Sequence, residues 1–159
     1  MILIEEPSPD DAGEIFFIQR QTWHESYIDY LSHEEIEKRF TDSPKRIQQI
    51  KELIEDVHNQ YFIAKTKGKI IGFISLTKIP RNKIVSLYVI EQSQGKGVGK
   101  ELFQRGIKWF KDTEIFIRVL KKNKKAQKFY EKMGAKFIRD LSPEESNDIG
   151  LGVEMIMKV

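Results

Sequence analysis

Three glycines occur at alternate positions in the stretch Gln94-Gly95-Lys96-Gly97-Val98-Gly99. Residues 84–90 before it are β-branched and aromatic, which predicts a mostly buried strand. Residues 98–110 after it repeat apolar side chains at helical spacing, so the glycines lie on a strand-to-helix turn. The first N–H groups of a helix lack intrahelical partners, and glycine lets an anion approach them without meeting a Cβ. The stretch therefore predicts a phosphate-binding loop of main-chain amides.

Two common phosphate-loop signatures do not fit this spacing. A dinucleotide fingerprint that starts at Gly95 needs a glycine at the position of Lys100. A P-loop needs Ser or Thr at the position of Glu101. A glycine-rich turn without a ligand is the other alternative, and the flanking strand and helix, in the required order, argue against it.

A second stretch, residues 123–137, places polar and aromatic residues along an amphipathic helix and its end. Together with the glycine loop it resembles the GNAT superfamily of acyl-coenzyme A-dependent N-acetyltransferases. The family's two motifs read Gln/Arg-x-x-Gly-x-Gly/Ala and Asn-x-x-Ala-x-x-Phe/Leu-Tyr-x-x-x-Gly-Phe. The residues of this chain that match the two motifs are Gln94, Gly97, Gly99, Asn123, Ala126, Phe129, Tyr130 and Gly134. The last aromatic residue of the second motif, Phe137, comes two positions later than the family pattern has it.

The order of predicted elements is β-α-α-α-β-β-β-α-β-α-β-β, which matches the GNAT fold with an extra helix near the N-terminus. The resemblance implies an α/β (α+β) fold with a mixed six- to seven-stranded central sheet flanked by about five helices. It also implies that the coenzyme binds at the splay between the two central parallel strands. At 159 residues with 40% hydrophobic content, residues 1–159 are expected to form a single N-acetyltransferase domain.

The resemblance also implies roles for individual residues toward acetyl-coenzyme A. Main-chain groups of the strand before the loop would bind the pantetheine arm, and the N–H of Val89 would stabilise the oxyanion. Tyr130 would protonate the departing thiolate as the catalytic residue, although its helical spacing also fits a core contact. The coenzyme-binding residues implied are Leu87, Tyr88, Val89, Gln94, Gly95, Lys96, Gly97, Val98, Gly99, Lys100 and Asn123.

A general base is harder to assign than the acid. Some GNAT enzymes place a glutamate early on the strand before the glycine loop, and this chain has Arg81-Asn82-Lys83 there. The family's carboxylate is therefore missing. An ammonium must lose a proton before it attacks, so the candidates that remain are His24, Glu25, Glu91 or a chain of waters.

The predicted N-terminal helices alternate aromatic and acidic residues, and in the GNAT fold these helices wall the acceptor site. We expect Trp23, His24, Glu25 and Tyr27 to contact a cationic acceptor such as a polyamine, a basic peptide or an aminoglycoside. The stretch is similar to bacterial spermidine/spermine N-acetyltransferases. Core packing of the aromatic residues, with the acids on a solvated face, is the alternative.

Two other functions stay open. In the first, the acceptor is a protein or peptide N-terminus or a lysine. In the second, the domain binds acyl-coenzyme A or nucleic acid without catalysis. The lysines of residues 121–128 suit a nucleic-acid patch by charge, but no aromatic residues alternate with them, and the coenzyme phosphates are expected nearby.

Charge is distributed unevenly along the chain. Residues 1–40 carry ten acidic and three basic residues, whereas residues 94–136 carry thirteen basic and four acidic ones. The basic residues 94–136 would attract phosphate and the acidic residues 1–40 would repel it. The alternative is that both are solvated helical faces of opposite sign.

Because cysteine is absent and the histidines are scattered, we expect no disulfide and no metal. We also expect a cytoplasmic protein without membrane contact; a homodimer, common among such relatives, stays open.

Overall fold

The computed structural model describes residues 1–111, 114–146 and 150–159. Within these residues, seven strands form one mixed sheet in the order β1-β2-β3-β4-β5-β7-β6. The strands are β1 (Leu3–Glu5), β2 (Asn59–Thr66), β3 (Lys69–Thr77), β4 (Lys83–Val89), β5 (Glu114–Leu120), β6 (Lys136–Asp140) and β7 (Gly152–Lys158). The helices are α1 (Ala12–Tyr27), α2 (His33–Lys38), α3 (Ser43–Glu55), α4 (Val98–Ile107) and α5 (Lys124–Lys132). The predicted fold class, with its mixed sheet and five helices, is confirmed.

Local sequence signals explain where several elements begin. Ser32 and Glu35 form the predicted capping box of α2: the Glu35 N–H donates to the Ser32 hydroxyl at 3.1 Å. The predicted hairpin turn joins β2 to β3 through Lys67 and Gly68, whose φ angles are 51° and 75°. The predicted third helix ends at Glu55, two residues before the expected Val57.

The chain divides into two compact units. The first comprises Met1–Leu76 and Ser86–Trp109, and the second comprises Thr77–Val85 and Phe110–Val159. Strand β4 contributes residues to both units. The single-domain expectation for residues 1–159 therefore stays a prediction.

The first unit has its core between α1, α4 and the strands β2 and β3. Its largest fully buried side chains include Phe16, Phe73 and Phe103. In β3 the residues from Ile70 to Thr77 are all buried, as expected of a central strand covered on both faces. This packing holds α1 and α4, the helix that follows the glycine loop, against the sheet.

The second unit is built on β5, which pairs with β4 in parallel and with β7 in antiparallel orientation. The parallel register places Lys83 opposite Phe116 and Ile84 opposite Ile117, which confirms the predicted parallel pair. Apolar residues of β5 and β7, among them Ile115, Ile117 and Met155, are buried at 1% exposure or less. A bulge or irregularity interrupts the β6–β7 register between Phe137 and Arg139.

A buried carboxylate, that of Glu154, lies among the described residues of this second unit. Glu154 on β7 is only 3% exposed, and three arginines surround it. Arg81 and Arg118 contact its Oε2 atom, and Arg139 donates to its Oε1 atom at 3.3 Å. Burial of a carboxylate requires such partners, because an unpaired buried charge is costly.

The nearby Glu145 gives a prediction about pH. Paired hydrogen bonds from Arg139, at 2.8 and 2.7 Å, hold the pKa of Glu145 well below its ordinary value of 4.5. A lowered folded-state pKa stabilises the fold above the unfolded-state pKa, and this stability is lost as the pH falls through the folded-state value. Glu145→Gln is therefore expected to lower the free energy of unfolding at pH 7.

The test of this prediction is urea denaturation of both proteins between about pH 7 and pH 2. The difference between wild type and Glu145→Gln should stay constant down to about pH 5 and shrink below about pH 4.5. Glu144→Gln, at the exposed neighbouring position, is the matched control and should show no such difference. A Glu145 difference that is as large at the lowest pH as at pH 7 contradicts the account.

Candidate active site

The glycine loop lies where the sequence predicts it, between β4 and α4 in the first unit. Gly95 and Gly97 have φ angles of 76° and 84°, in the left-handed region that favours glycine. A Cβ built on either would meet no atom within 4 Å, so the space beside the loop is open. Gly97 is the N-cap of α4 and supplies no side chain to its first turn. The amides at this helix start are thus available to an anion.

The side chains of the loop divide between solvent and core. Lys96 and Lys100 are exposed, so their ammonium groups can add positive charge near the amides. Val98 is only 1% exposed and packs into the core, which leaves its main chain as the part that a ligand can reach. The loop is therefore anchored by Val98 and open at Gly95, Lys96 and Gly97.

Gln94 holds the start of this loop to the end of β4. Its side-chain Nε2 donates to the Val89 carbonyl at 2.8 Å, and its backbone N–H donates to the Glu91 carbonyl at 3.1 Å. Both hydrogen bonds are to main-chain groups of the protein itself, so Gln94 positions the start of the glycine loop. Its predicted contact with the coenzyme stays a prediction.

Glu25 of α1 also fastens the segment that precedes the loop. Its Oε1 atom accepts the Glu91 N–H at 2.9 Å, where a short 3-10 helix, Glu91–Ser93, begins. Its other oxygen accepts from the side chain of Gln21 at 3.1 Å. A carboxylate at the first N–H of a helical turn is a favourable cap. The structure shows Glu25 fastening this segment, and the roles expected of Glu25 as an acceptor contact or a base stay predictions.

Glu25 variants separate these roles. Glu25→Ala is expected to raise the KM for acetyl-coenzyme A about 3- to 10-fold, because it removes a charge-assisted bond that holds the loop segment. Glu25→Gln retains an acceptor oxygen and should change KM and kcat little. If Glu25 is instead the general base, Glu25→Gln should lower kcat by about 100-fold or more. Steady-state kinetics distinguishes the two outcomes.

The matched control for this experiment is Glu14, on the same helix. Its Oε2 atom accepts the Ile70 N–H at 2.7 Å, so it also joins α1 to a main-chain amide, but at the start of β3. Glu14→Ala should cost about the same stability and leave the KM for acetyl-coenzyme A unchanged. An equal rise in KM for both variants would show a general loss of structure.

The aromatic residues predicted at the acceptor site pack inside the first unit. Trp23 and Tyr27 are 7% and 8% exposed, and their ring centroids are 4.7 Å apart. The Trp23 Nε1 donates to the Tyr88 hydroxyl at 3.1 Å, and the guanidinium carbon of Arg39 lies 4.5 Å from the Trp23 ring centroid. Burial of its phenol raises the pKa of Tyr88. The protein's own arginine therefore makes the cation–π contact expected of an acceptor.

His24 lies in a charged cluster between α1 and α2. Its Nε2 atom is buried and 3.5 Å from Glu37 Oε1; within the described residues it makes no hydrogen bond. The His33 ring is tilted by 34° to the His24 ring, with the two centroids 4.7 Å apart. Arg20 donates hydrogen bonds to Glu37, which lower the Glu37 pKa. His24 is thus surrounded by charged side chains of its own unit. Its acceptor-contact and base roles stay predictions.

Tyr130 and Asn123 lie in the second unit, at helix α5. Asn123 is the N-cap: its Oδ1 accepts the Ala126 N–H at 3.1 Å, which leaves the amide Nδ2 to donate elsewhere. Tyr130 is 8% exposed and packs against the Phe129 ring at 5.4 Å. Its carbonyl accepts the Ala135 N–H at 2.9 Å, which helps to end the helix. Both motif residues are therefore held firmly in place.

The part of the chain that the structure describes contains no group of three or more histidine or acidic side chains placed to hold a metal ion. Nor do the helices among residues 1–111, 114–146 and 150–159 include one long and apolar enough to cross a membrane.

A sequence profile of the acetyltransferase (GNAT) family matches residues 20–135. The match covers the glycine loop, the second motif as far as Ala135, and most of the chain. The chain therefore belongs to the acetyltransferase (GNAT) family, whose members are acyltransferases that use acetyl-coenzyme A.

The individual proteins to which this chain is similar are also described as acetyltransferases. An N-alpha-acetyltransferase of Sulfurisphaera tokodaii is 26% identical over 107 residues, which span 57% of this chain and 64% of that protein. The PaiA N-acetyltransferase of Thermoplasma acidophilum, solved in complex with coenzyme A, is 23% identical, with a TM-score of 0.83 over 100% of this chain and 99% of its own. A GNAT acetyltransferase of Streptococcus pneumoniae is 19% identical, with a TM-score of 0.75 over the full length of both. These two structures are similar to this chain in fold.

Proposed function

We propose that this chain transfers the acetyl group of acetyl-coenzyme A directly to a primary amine. The observation that carries the proposal is the open glycine loop at the start of α4, with Gly95 and Gly97 in left-handed conformations. Such a loop offers several amides to a pyrophosphate, and family membership supports coenzyme A as the ligand. The proposed coenzyme contacts are the main-chain groups of Leu87, Tyr88 and Val89, the loop from Gln94 to Lys100, and the Asn123 side chain.

The loop fits an anionic group because no Cβ fills its outer side. The amides at the helix start supply fixed positive dipoles, and Lys96 and Lys100 supply mobile positive charges beside them. Gln94 and Glu25 hold the preceding segment, so little reorganisation is needed when a ligand binds. Acetyl-coenzyme A supplies the activated carbonyl carbon.

The proposed reaction is one nucleophilic substitution at the acetyl carbonyl. The neutral amine attacks the carbon, the C–N bond forms, and the C–S bond breaks. The N–H of Val89 stabilises the oxyanion, and the Tyr130 hydroxyl gives a proton to the departing thiolate. The proton lost by the amine goes to a water or to one of the candidate bases His24, Glu25 and Glu91. Without a cysteine in the sequence, no acyl-cysteine enzyme can form.

For the acceptor we propose a cationic amine, such as the polyamines spermidine and spermine or a basic peptide. The excess of seven negative charges in residues 1–40 supports it, and Asp29, Glu34 and Glu35 are exposed. Trp23 and Tyr27 do not add support, because both side chains are buried and Arg39 lies over the Trp23 ring. The acidic surface is therefore the remaining support.

The second candidate acceptor is the α-amine of a protein or peptide. The Sulfurisphaera tokodaii relative, which is an N-alpha-acetyltransferase, favours it. The two candidates differ in chemistry: a polyamine carries several cationic centres and no peptide bond, whereas a protein N-terminus carries one α-amine on a main chain that can bind as an extended strand.

Matched acceptors distinguish these candidates. Spermidine, an aminoglycoside, a peptide with a free N-terminus, the same peptide with a blocked N-terminus, and a blocked lysine peptide are each incubated with acetyl-coenzyme A. Mass spectrometry then locates the acetyl group. Acetylated spermidine supports the cationic acceptor, and acetylation only of the free N-terminus supports the second candidate. Coenzyme binding without acetylation of any amine contradicts both.

Three further expectations are part of this proposal: the protein is cytoplasmic, residues 1–159 form a single domain, and the chain forms a homodimer. Analytical ultracentrifugation tests the last, since the chain has a mass of 18.7 kDa. A sedimentation mass near twice this value supports the dimer, and a mass near this value at micromolar concentration contradicts it.

A further inference from the structure

Four cationic side chains of the second unit lie together on one face of its sheet, around the buried Glu154. We call them the electropositive face: Arg81, Lys83, Arg118 and Arg139. Strand register brings them together, because Lys83 pairs with Phe116, and Arg118 and Arg139 both pair with Glu154. Phe116 and Arg118 are two residues apart on β5 and therefore share a face. The guanidinium of Arg81 stacks on the Phe116 ring at 3.7 Å.

This face holds more positive charge than its carboxylates need. Among the residues that the structure describes, Glu154 and Glu145 are the carboxylates that form ion pairs with the three arginines. Arg139 is satisfied by paired bonds to Glu145 and one bond to Glu154. Arg118 is poorly satisfied, because its contacts are all long: 3.4 Å to Glu154 Oε2, 3.5 Å to the Glu145 carbonyl and 3.6 Å to Glu145 Oε2. Even without Lys83, the arginines outnumber the carboxylates.

Lys83 adds a cation that opposes folding. Burial lowers its pKa, and so do Arg118 and Arg81, which repel its charged form; the attraction of Glu154 acts in the opposite direction. Within the described residues, Lys83 makes no hydrogen bond or ion pair. A lysine whose pKa falls on folding destabilises the fold at neutral pH. The fold therefore keeps Lys83 beside two arginines at a cost in stability.

We propose that the electropositive face binds an oxyanion, the carboxylate or phosphate group of a small ligand. Arg81 and Arg118 are each 38% exposed, and each carries five N–H donors, more than Glu154 accepts. A ligand oxyanion would take these donors and the Lys83 ammonium and would relieve their mutual repulsion. This site lies wholly in the second unit and does not depend on the proposed reaction.

The test measures anion binding and stability together. Succinate and inorganic phosphate are titrated by calorimetry into wild type, Lys83→Met and Lys158→Met at constant ionic strength set with sodium chloride. Lys158 is the matched control, an exposed lysine on β7 of the same unit. Thermal unfolding of all three proteins is recorded without anion and with each anion, because a ligand that binds the folded state raises the melting temperature.

The expected result is saturable binding of succinate or phosphate to wild type and to Lys158→Met, weakened about tenfold or more in Lys83→Met. Without anion, Lys83→Met should melt at a higher temperature than wild type, because it removes a repelled charge. Preference for succinate assigns a carboxylate ligand, and preference for phosphate assigns a phosphoryl ligand. Binding that is equal in all three proteins, or no saturable binding of either anion, overturns the proposal.

Discussion

Tyr130→Phe is expected to lower kcat for amine acetylation by about 100-fold or more, within the range for loss of a general acid. The KM for acetyl-coenzyme A should change by no more than about twofold, because the ring that packs against Phe129 is retained. The measurement is steady-state thiol release at saturating amine. Without a proton from Tyr130 the sulfur leaves as a thiolate, which is a poorer leaving group than the protonated thiol, so the loss falls on kcat.

Tyr61→Phe is the matched control for this variant. Tyr61 is also a buried tyrosine, on β2 of the first unit; burial raises its pKa to about 12, and its hydroxyl bonds to Ser75. Loss of the Tyr61 hydroxyl should lower the free energy of unfolding and leave kcat unchanged. A Tyr130→Phe protein that is as active as Tyr61→Phe would reduce Tyr130 to a core contact.

Gly97→Val is expected to weaken acetyl-coenzyme A binding by about 100-fold. Two effects combine: a β-branched residue is strained at a φ of 84°, and its side chain would occupy the open space through which a pyrophosphate reaches the amides. Hydrogen bonds from amides to charged oxygens contribute about 1.5–3 kcal/mol each, so the loss of one or two accounts for the factor. Calorimetric titration with acetyl-coenzyme A measures it.

Gly68→Val separates strain from ligand binding. Gly68 has a φ of 75° and, like Gly97, would place a Cβ in open space, but it lies in the β2–β3 hairpin turn. Both variants should lose about 1–2 kcal/mol of unfolding free energy from the left-handed conformation. Only Gly97→Val should lose coenzyme affinity. If Gly68→Val loses as much affinity, the loop has no special role in binding.

Features that depend on short stretches of sequence could be predicted. The glycine loop, the capping box at Ser32 and the turn at Lys67-Gly68 each follow from a few adjacent residues with definite backbone preferences. The parallel pairing of β4 and β5 follows from the strand-helix-strand order. These predictions needed only local chemistry and one topological rule.

Contacts between distant residues could not be predicted in the same way. Glu25 meets the N–H of Glu91 across 66 positions, and Arg81 meets Glu154 across 73. Such pairs depend on strand order and register, which the periodicity of one segment does not contain. The acid at position 25 signalled a charged group on α1, but nothing in the sequence indicated that a main-chain amide would be its partner.

The aromatic stripe of α1 shows a related limit. The spacing of Trp23 and Tyr27 correctly places them on one face of a helix, since their rings are 4.7 Å apart. Periodicity does not say whether that face lines a pocket or packs in a core. In the structure, Tyr88 and Arg39 contact Trp23, and a contact of Trp23 or Tyr27 with an acceptor stays a prediction.

The central claim is that this chain moves the acetyl group of acetyl-coenzyme A to an amine. The most direct measurement follows free-thiol release and acetyl-amine formation in one reaction, with and without amine. The account predicts that thiol release depends on an amine acceptor and equals the acetyl-amine formed. A chain that does not bind acetyl-coenzyme A, or that releases thiol at the same rate without any amine, would contradict it.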